Sequence, residues 1–177
     1  MDDSIYKLYY QAVNDKQTEV MVGMVESGQI SVDEWAEYGA IIHDACWTGN
    51  AEYAGRLIEL GADVNLSPEN NLTPLHAAVG YNHIDVARIL IENGADVNAK
   101  TAFPSSSQYT WSPHFGETAL HLAVLFCSAE MVQLLLDASA KQDAKDAMLA
   151  TPLDYLRRKN WIRCEQDVDA MKSLFNG

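Results

Sequence analysis

Apolar and small residues recur at helical spacing in pairs of short segments, and the pattern is clearest between residues 73 and 98. Positions i, i+3 and i+4 carry the apolar stripe of two successive amphipathic helices. These positions are Leu75, Ala78 and Val79 in the first segment, and Val86, Ile89 and Leu90 in the second. The pattern predicts a unit of two helices joined by a short turn, the second over about 84–93.

Polar and special residues predict where these helices begin and end. Thr73 can cap the first helix, because its hydroxyl can accept from the backbone N–H of His76. Pro74 at the first helical position has no N–H to leave unpaired. Gly94 stands where the second helix must stop, since glycine tolerates a left-handed backbone. An extended segment, called a finger here, then leads to the next unit.

The unit repeats along the chain with a period of 33 residues. The sequence GADVN occurs at 61–65 and again at 94–98, and His43 lies 33 residues before His76. The step from His76 to His121 is 45, so 12 extra residues interrupt the period there. A fixed period of this size is typical of stacked repeats that bury their apolar faces against one another. The predicted units are roughly 1–34, 35–67, 68–100, 101–145 and 146–177.

Residues 73–100, TPLHAAVGYNHIDVARILIENGADVNAK, resemble an ankyrin repeat, and residues 117–146 resemble the same repeat with substitutions. The resemblance covers almost the whole chain. It implies an all-α solenoid of about five helix-turn-helix units, in a single domain over 1–177, with extended fingers and one long aromatic finger insertion. It also implies a protein-binding scaffold, and a structural hydrogen-bonding role for the repeated histidines His43, His76 and His121.

Two units depart from the repeat in ways that predict weaker local structure. Residues 40–42 read Ala-Ile-Ile where the repeat has Thr-Pro-Leu, so that helix lacks its capping hydroxyl. Asp44 stands where the repeat has alanine. Ser139 and Lys141 replace the Gly and Asp of a finger turn. The terminal units diverge most, which suits the polar outer faces that terminal repeats need.

Charge and cysteine content limit the class of protein. The chain has 25 acidic and 12 basic residues and a formal net charge of −13. Such a surface repels nucleic acids and anionic membranes, and it attracts a partner with a basic face, although solubility alone would also explain it. The start of the chain does not resemble a secretory signal, and no apolar run could span a membrane. We therefore expect a cytoplasmic protein with reduced thiols at Cys46, Cys127 and Cys164, although secretion by a non-classical route stays open.

No motif predicts catalysis, a cofactor or a metal site. The sequence lacks the glycine-rich phosphate loops, the serine nucleophile motif and the paired histidines or cysteines of zinc sites. An enzymatic alternative would rest on His114, the one histidine outside the repeat pattern, together with Cys127 or Glu117. The basic cluster 157–163 is interpreted as a helix end and polar cap rather than a nucleic-acid site.

Two regions are candidates for partner binding. The insertion at 102–115 is rich in aromatic residues and serine, and it either folds back on the solenoid or forms a recognition loop. In ankyrin repeats, the two residues that end each first helix face the concave groove. The predicted partner-binding residues are Trp47, Tyr81, Leu125 and Phe126 in the groove, Glu69 and Asn70 beside it, and Tyr109, Trp111 and Phe115 in the insertion.

The predicted function is protein–protein interaction by a chain that is monomeric alone. The groove and the long finger would bind, and could inhibit or neutralise, one partner with a basic surface. Two alternatives remain open from the sequence. One is a structural protein that buries the same aromatic residues in a homodimer. The other is an adaptor secreted as an effector directed at a host.

Overall fold

A computed structural model describes residues 3–35, 39–68, 71–102, 115–126, 128–157 and 167–175. Within these ranges the chain is helical, and an isolated bridge between Trp35 and Ala40 is the one β-type pairing there. The ten helices are α1 (Asp3–Asn14), α2 (Thr18–Glu26), α3 (Ile41–Thr48), α4 (Ala51–Glu59), α5 (Pro74–Gly80), α6 (Ile84–Glu92), α7 (Ala119–Phe126), α8 (Ala129–Asp137), α9 (Pro152–Arg157) and α10 (Val168–Leu174). The predicted all-α solenoid is confirmed.

The helices form two layers. The odd-numbered helices α1, α3, α5, α7 and α9 pack on one another in chain order, and the even-numbered helices pack in a second row. Each helix also packs against the other member of its pair. Leu57 of α4 and Leu90 of α6, 33 residues apart, are both fully buried between the layers. This repetition of one apolar core explains the 33-residue period. The unit boundaries proposed above stay a prediction.

The start of α5 confirms the predicted cap. Thr73 is the N-cap residue, and its hydroxyl accepts from the His76 backbone N–H at 3.4 Å. The His76 ring returns the contact, since its Nδ1 accepts from the Thr73 backbone N–H at 3.3 Å. Pro74 occupies the first turn as predicted. Two orphan donors of the helix end are therefore satisfied locally.

The repeated histidines link successive units through the backbone. His43 Nε2 donates to the Leu72 carbonyl at 2.9 Å, and His121 Nε2 donates to the Ala150 carbonyl at 3.1 Å. Each acceptor lies directly before the next unit's helix-starting threonine. His76 Nε2 is buried and has no hydrogen-bond partner among the described residues. Two of the three histidines thus carry the hydrogen-bonding role that the resemblance implied. The His76 ring, besides its local contact with Thr73, lies close enough to the backbone of Glu117 and Ala99 for both to raise its pKa against the effect of burial.

The start of α3 is built differently. Ala40 is its N-cap residue and makes no side-chain hydrogen bond, as predicted from its sequence. In compensation, Asp44 is buried and accepts from the Tyr9 hydroxyl of α1 at 2.8 Å. The Tyr53 hydroxyl of α4 donates to the Tyr9 oxygen at 3.4 Å. A buried polar cluster therefore joins three helices at this end of the stack.

Turns between helices use left-handed backbone where the sequence predicts it. Gly94 has a φ of +88°, in agreement with its predicted role at the end of α6. Ser139 takes the corresponding place after α8 with a φ of +65°, which is less favourable for a residue with a Cβ. Gly49, at φ +68°, also needs space, because an added Cβ would lie 2.5 Å from the His83 ring.

Candidate functional site

The candidate groove is lined by the residues that end the odd-numbered helices, which we call the concave row. Its described members are Asn14, Asp15, Trp47, Thr48, Gly80, Tyr81, Leu125 and Phe126. Tyr81 is 61% exposed, and Asn14 and Asp15 are also exposed. Trp47 and Phe126 are half-buried and pack against the core. The row therefore presents one strongly exposed aromatic side chain between two partly exposed ones.

Tyr81 is held in a defined orientation although it is exposed. Its ring stacks on the His83 imidazole, with centroids 6.2 Å apart and planes 6° from parallel. His83 in turn donates from Nε2 to the Trp47 carbonyl at 3.1 Å. This contact gives His83 a structural role. It also ties the end of α3 to the turn that carries Tyr81, so the two aromatic positions are fixed relative to each other.

Leu125 is not exposed, and its predicted exposure is wrong. Only 6% of the residue is accessible. Seven of the eight residues of α7 are apolar, and the helix packs against α5, α8 and α9. A helix that is apolar on all sides can bury more than one face. Leu125, which would face the groove in an amphipathic helix, is therefore enclosed here. Leu125 contributes to the core beneath Phe126.

Several predicted site residues lie outside the described residues. They are Glu69, Asn70, Tyr109, Trp111 and, among the alternatives, His114 and Cys127. Phe115, at the end of the insertion, is described and half-buried, and its carbonyl accepts from the Ala147 backbone N–H at 2.7 Å. Thr101 pairs with Gly116 and Glu117 through backbone hydrogen bonds of 2.9 Å each. The two ends of the insertion are therefore held together at its base.

Burial favours the neutral form of several titratable groups in the described core. Burial lowers the pKa of His76 to about 4, and it also lowers the pKa values of His43 and His121. Burial raises the pKa of the fully buried Cys46 thiol, which makes this thiol a poor nucleophile. The described residues contain no group of three or more His, Cys, Asp or Glu side chains placed to hold a metal ion. None of their helices is long and apolar enough to cross a membrane.

The described surface exposes other large apolar residues that we did not select from the sequence. They are Leu8, Val20, Trp35, Met148 and Leu149. The sequence could have drawn attention to Leu149. It stands two residues before Thr151, at the repeat position that Gly116 occupies two residues before Thr118. The helix pairs, the repeated Thr–His contacts and the concave row together point to one repeat family.

Comparison with known families decides the assignment. Residues 9–101 match the family described as ankyrin repeats (three copies), and residues 75–136 match ankyrin repeats (many copies). The chain belongs to the ankyrin-repeat family. The family match covers more than half of the sequence, and its repeats mediate protein–protein interaction.

Individual relatives share the repeat over part of their length. Protein phosphatase 1 regulatory subunit 27 of Mus musculus is 32% identical over 52% of this ankyrin-repeat chain and 60% of its own length. The protein of the same name from Homo sapiens is 42% identical over 34% of this chain and 39% of its own. The ankyrin repeat and KH domain-containing protein mask of Drosophila melanogaster is 36% identical over 62% of this chain, which spans 2% of that relative. This chain thus spans less than two thirds of the length of each of these relatives.

Proposed function

We propose that this ankyrin-repeat chain is a binding module whose concave row engages one partner protein, with Tyr81 at the centre of the contact. The observation that carries the proposal is the 61% exposure of a tyrosine whose ring is already fixed on His83. Tyrosine and tryptophan dominate the binding energy of protein interfaces. An aromatic side chain that is ordered before binding also loses little conformational entropy on contact.

The charge of the chain supports a partner with a basic face. The formal net charge is −13, and the N-terminal end of the concave row carries the exposed Asp15. Opposite charge accelerates association and excludes acidic competitors. The same field disfavours nucleic acid and anionic membranes as ligands.

Regulation of the partner is the finer part of the proposal. Two of the relatives carry the name of a regulatory subunit of protein phosphatase 1. By analogy, this chain would act on an enzyme or another protein by covering part of its surface, without catalysis of its own. The 102–115 insertion would supply a second contact, since its base is joined to the solenoid at Phe115.

Partner capture at two salt concentrations tests the proposal. Wild type and a Tyr81→Ala variant are immobilised, exposed to native cell lysates, and the retained proteins are quantified. We expect at least one basic protein to be retained by wild type, to be reduced about tenfold in the variant, and to be released by 0.5 M salt. Equal retention by both immobilised proteins, or no retention by either, would contradict the proposal.

Self-association is the second candidate, favoured by the number of exposed apolar residues on the described surface. A homodimer could bury Tyr81 and Trp35 without any other partner. Light scattering at micromolar concentration separates the two functions. A stable dimer that Tyr81→Ala dissociates would favour self-association, whereas a monomer leaves the concave row available for another protein.

A further inference from the structure

Two large apolar side chains project from one turn before α9. Met148 is 62% exposed and Leu149 is 73% exposed, the highest values for large apolar residues in the described part of the chain. We call residues 147–149 the apolar turn. It lies at the finger edge of the stack, next to the base of the insertion, because the Ala147 N–H donates to the Phe115 carbonyl.

Leu149 is held in a backbone conformation that leucine disfavours. Its φ is +63°, in the left-handed region. The corresponding residues of two other fingers, also two positions before a helix-starting threonine, are Asn71 at +57° and Gly116 at +78°. Asparagine and glycine tolerate this region, whereas a large branched side chain is strained there. The solenoid gains little from a side chain that is 73% exposed, so the fold does not explain the leucine.

Hydrogen bonds hold the backbone of the apolar turn in place. Asp146 Oδ1 accepts from the Met148 N–H at 2.9 Å and from the Ala150 N–H at 2.7 Å. The Leu149 N–H donates to the Asp146 carbonyl at 3.1 Å. Asp146 is itself buried, and its Oδ2 accepts from the Tyr155 hydroxyl of α9 at 2.7 Å. The two exposed side chains are therefore presented on a fixed backbone.

The exposed charged side chains in the segment before the apolar turn are mostly basic, unlike those of the whole chain. Lys141 and Lys145 are exposed in the preceding segment, where Asp143 is the one exposed acid between residues 138 and 151. Lys100 adds a third cation, because its Nζ donates to the Lys145 carbonyl at 2.7 Å. Two exposed cations, Lys100 and Lys145, thus lie next to the apolar turn, while the exposed Asp143 and the buried Asp146 are the acids of the same segment.

We propose that the apolar turn is a second docking element that binds an acidic amphipathic segment of a partner protein. The apolar stripe of that segment would pack on Met148 and Leu149, and its carboxylates would face Lys100 and Lys145. Methionine suits such a contact because its flexible side chain adapts to varied apolar surfaces. This surface differs from the concave row in position and in the charge it selects, so it stands independently of the groove proposal.

A random 16-residue peptide library displayed on phage tests the proposal with the intact chain as bait. The library is selected at low salt for binding to the wild-type protein, and the enriched peptides are synthesised. Their affinities are then measured for wild type and for a Met148→Ser/Leu149→Asn variant. Asparagine is chosen because Asn71 already occupies the corresponding left-handed position. Leu8→Asn, at a leucine of α1 that is 51% exposed, is the matched control, and Tyr81→Ala reports on the concave row.

We expect enriched peptides to combine apolar residues with Asp or Glu, and to bind the double variant at least tenfold more weakly than wild type. Leu8→Asn and Tyr81→Ala should leave their affinities unchanged, and 0.5 M salt should weaken them. Leu149→Asn alone should keep or raise the Tm by about 2–4 °C, since strain is removed. No enrichment, peptides insensitive to the double variant, or a Tm lowered by several degrees would overturn the proposal. Peptides that depend on Tyr81 alone would support the concave row and contradict the second docking element.

Discussion

The starts of α3 and α5 occupy the same place in successive repeats, yet different interactions hold them. At α5, the Thr73 hydroxyl and the His76 ring satisfy the helix end within four residues. At α3, Ala40 offers no capping group, and Asp44 is instead bound by Tyr9, which is 35 residues away in the chain. One helix start is therefore stabilised by local hydrogen bonds and the other by a buried tertiary contact.

The difference has consequences for pH dependence. Burial raises the pKa of Asp44 to about 6, although the hydrogen bond from Tyr9 partly opposes this effect. Burial lowers the pKa of His76 to about 4. Burial thus favours the neutral form of both side chains. Between about pH 4 and 6.5, a rise in pH lowers the free energy of unfolding through Asp44 and raises it through His76.

The largest expected effect comes from removing the titration of Asp44. Its raised pKa means that the folded state holds this proton more tightly than the unfolded state. The stabilising contribution is complete below about pH 4 and is lost as the pH rises through 6. Asp44→Asn should therefore raise the free energy of unfolding at pH 8 by up to about 3 kcal/mol relative to wild type. Urea unfolding at pH 8 and pH 4 measures this difference.

The pH 4 measurement is the internal control, because the advantage of Asp44→Asn should disappear there. The variant should also show a steeper loss of stability between pH 6.5 and 4, since the lowered pKa of His76 then acts unopposed. An advantage of equal size at both pH values would show that Asp44 does not titrate as its burial implies.

A somewhat smaller change in the free energy of unfolding is expected when the hydrogen bond between Tyr9 and Asp44 is removed at Tyr9. Tyr9→Phe removes the hydroxyl that donates to Asp44 and leaves a buried carboxyl group without this donor. We expect the free energy of unfolding at pH 7 to fall by about 1.5–3 kcal/mol. Tyr53→Phe is the matched control, with a smaller loss, because its hydroxyl meets the cluster only through the 3.4 Å contact to Tyr9. Equal losses for the two variants would contradict this assignment.

The smallest effect is expected at the start of α5, which local hydrogen bonds stabilise. Thr73→Ala removes the capping hydroxyl of α5 and should lower the free energy of unfolding by about 0.5–2 kcal/mol. That loss corresponds to a Tm lower by a few degrees. The reciprocal Ala40→Thr places a hydroxyl at the start of α3 and should raise the Tm by no more than the first variant lowers it. If Thr73→Ala left the Tm unchanged, the cap would not stabilise α5.

Local features of the fold were predictable from the sequence because they depend on neighbouring residues. The Thr73 cap, the uncapped start at Ala40 and the end of α6 at Gly94 all follow from residue type and helical spacing. The buried partner of Asp44 was not predictable, since an aspartate in a helix pattern gives no sign of which distant side chain will bind it. The burial of Leu125 was missed for a similar reason, because it depends on three neighbouring helices.

The candidate site was predictable only in part. The repeat register located Tyr81 at an exposed position, and the structure agrees. The repeat register did not show that Trp47 and Phe126 would be half-buried. Replacing either of them by alanine would lower the stability of the protein as well as remove a surface side chain. Tyr81 is therefore the cleanest position at which to separate binding from folding.

Affinity for a captured partner, measured for wild type, Tyr81→Ala and Trp35→Ala, tests the central claim most directly. Trp35 is 48% exposed but lies outside the concave row, so it controls for the loss of any exposed aromatic residue. We expect Tyr81→Ala to weaken binding by at least about 2 kcal/mol with an unchanged Tm, and Trp35→Ala to bind like wild type. Wild-type affinity in a folded Tyr81→Ala variant would contradict a binding site centred on the concave row.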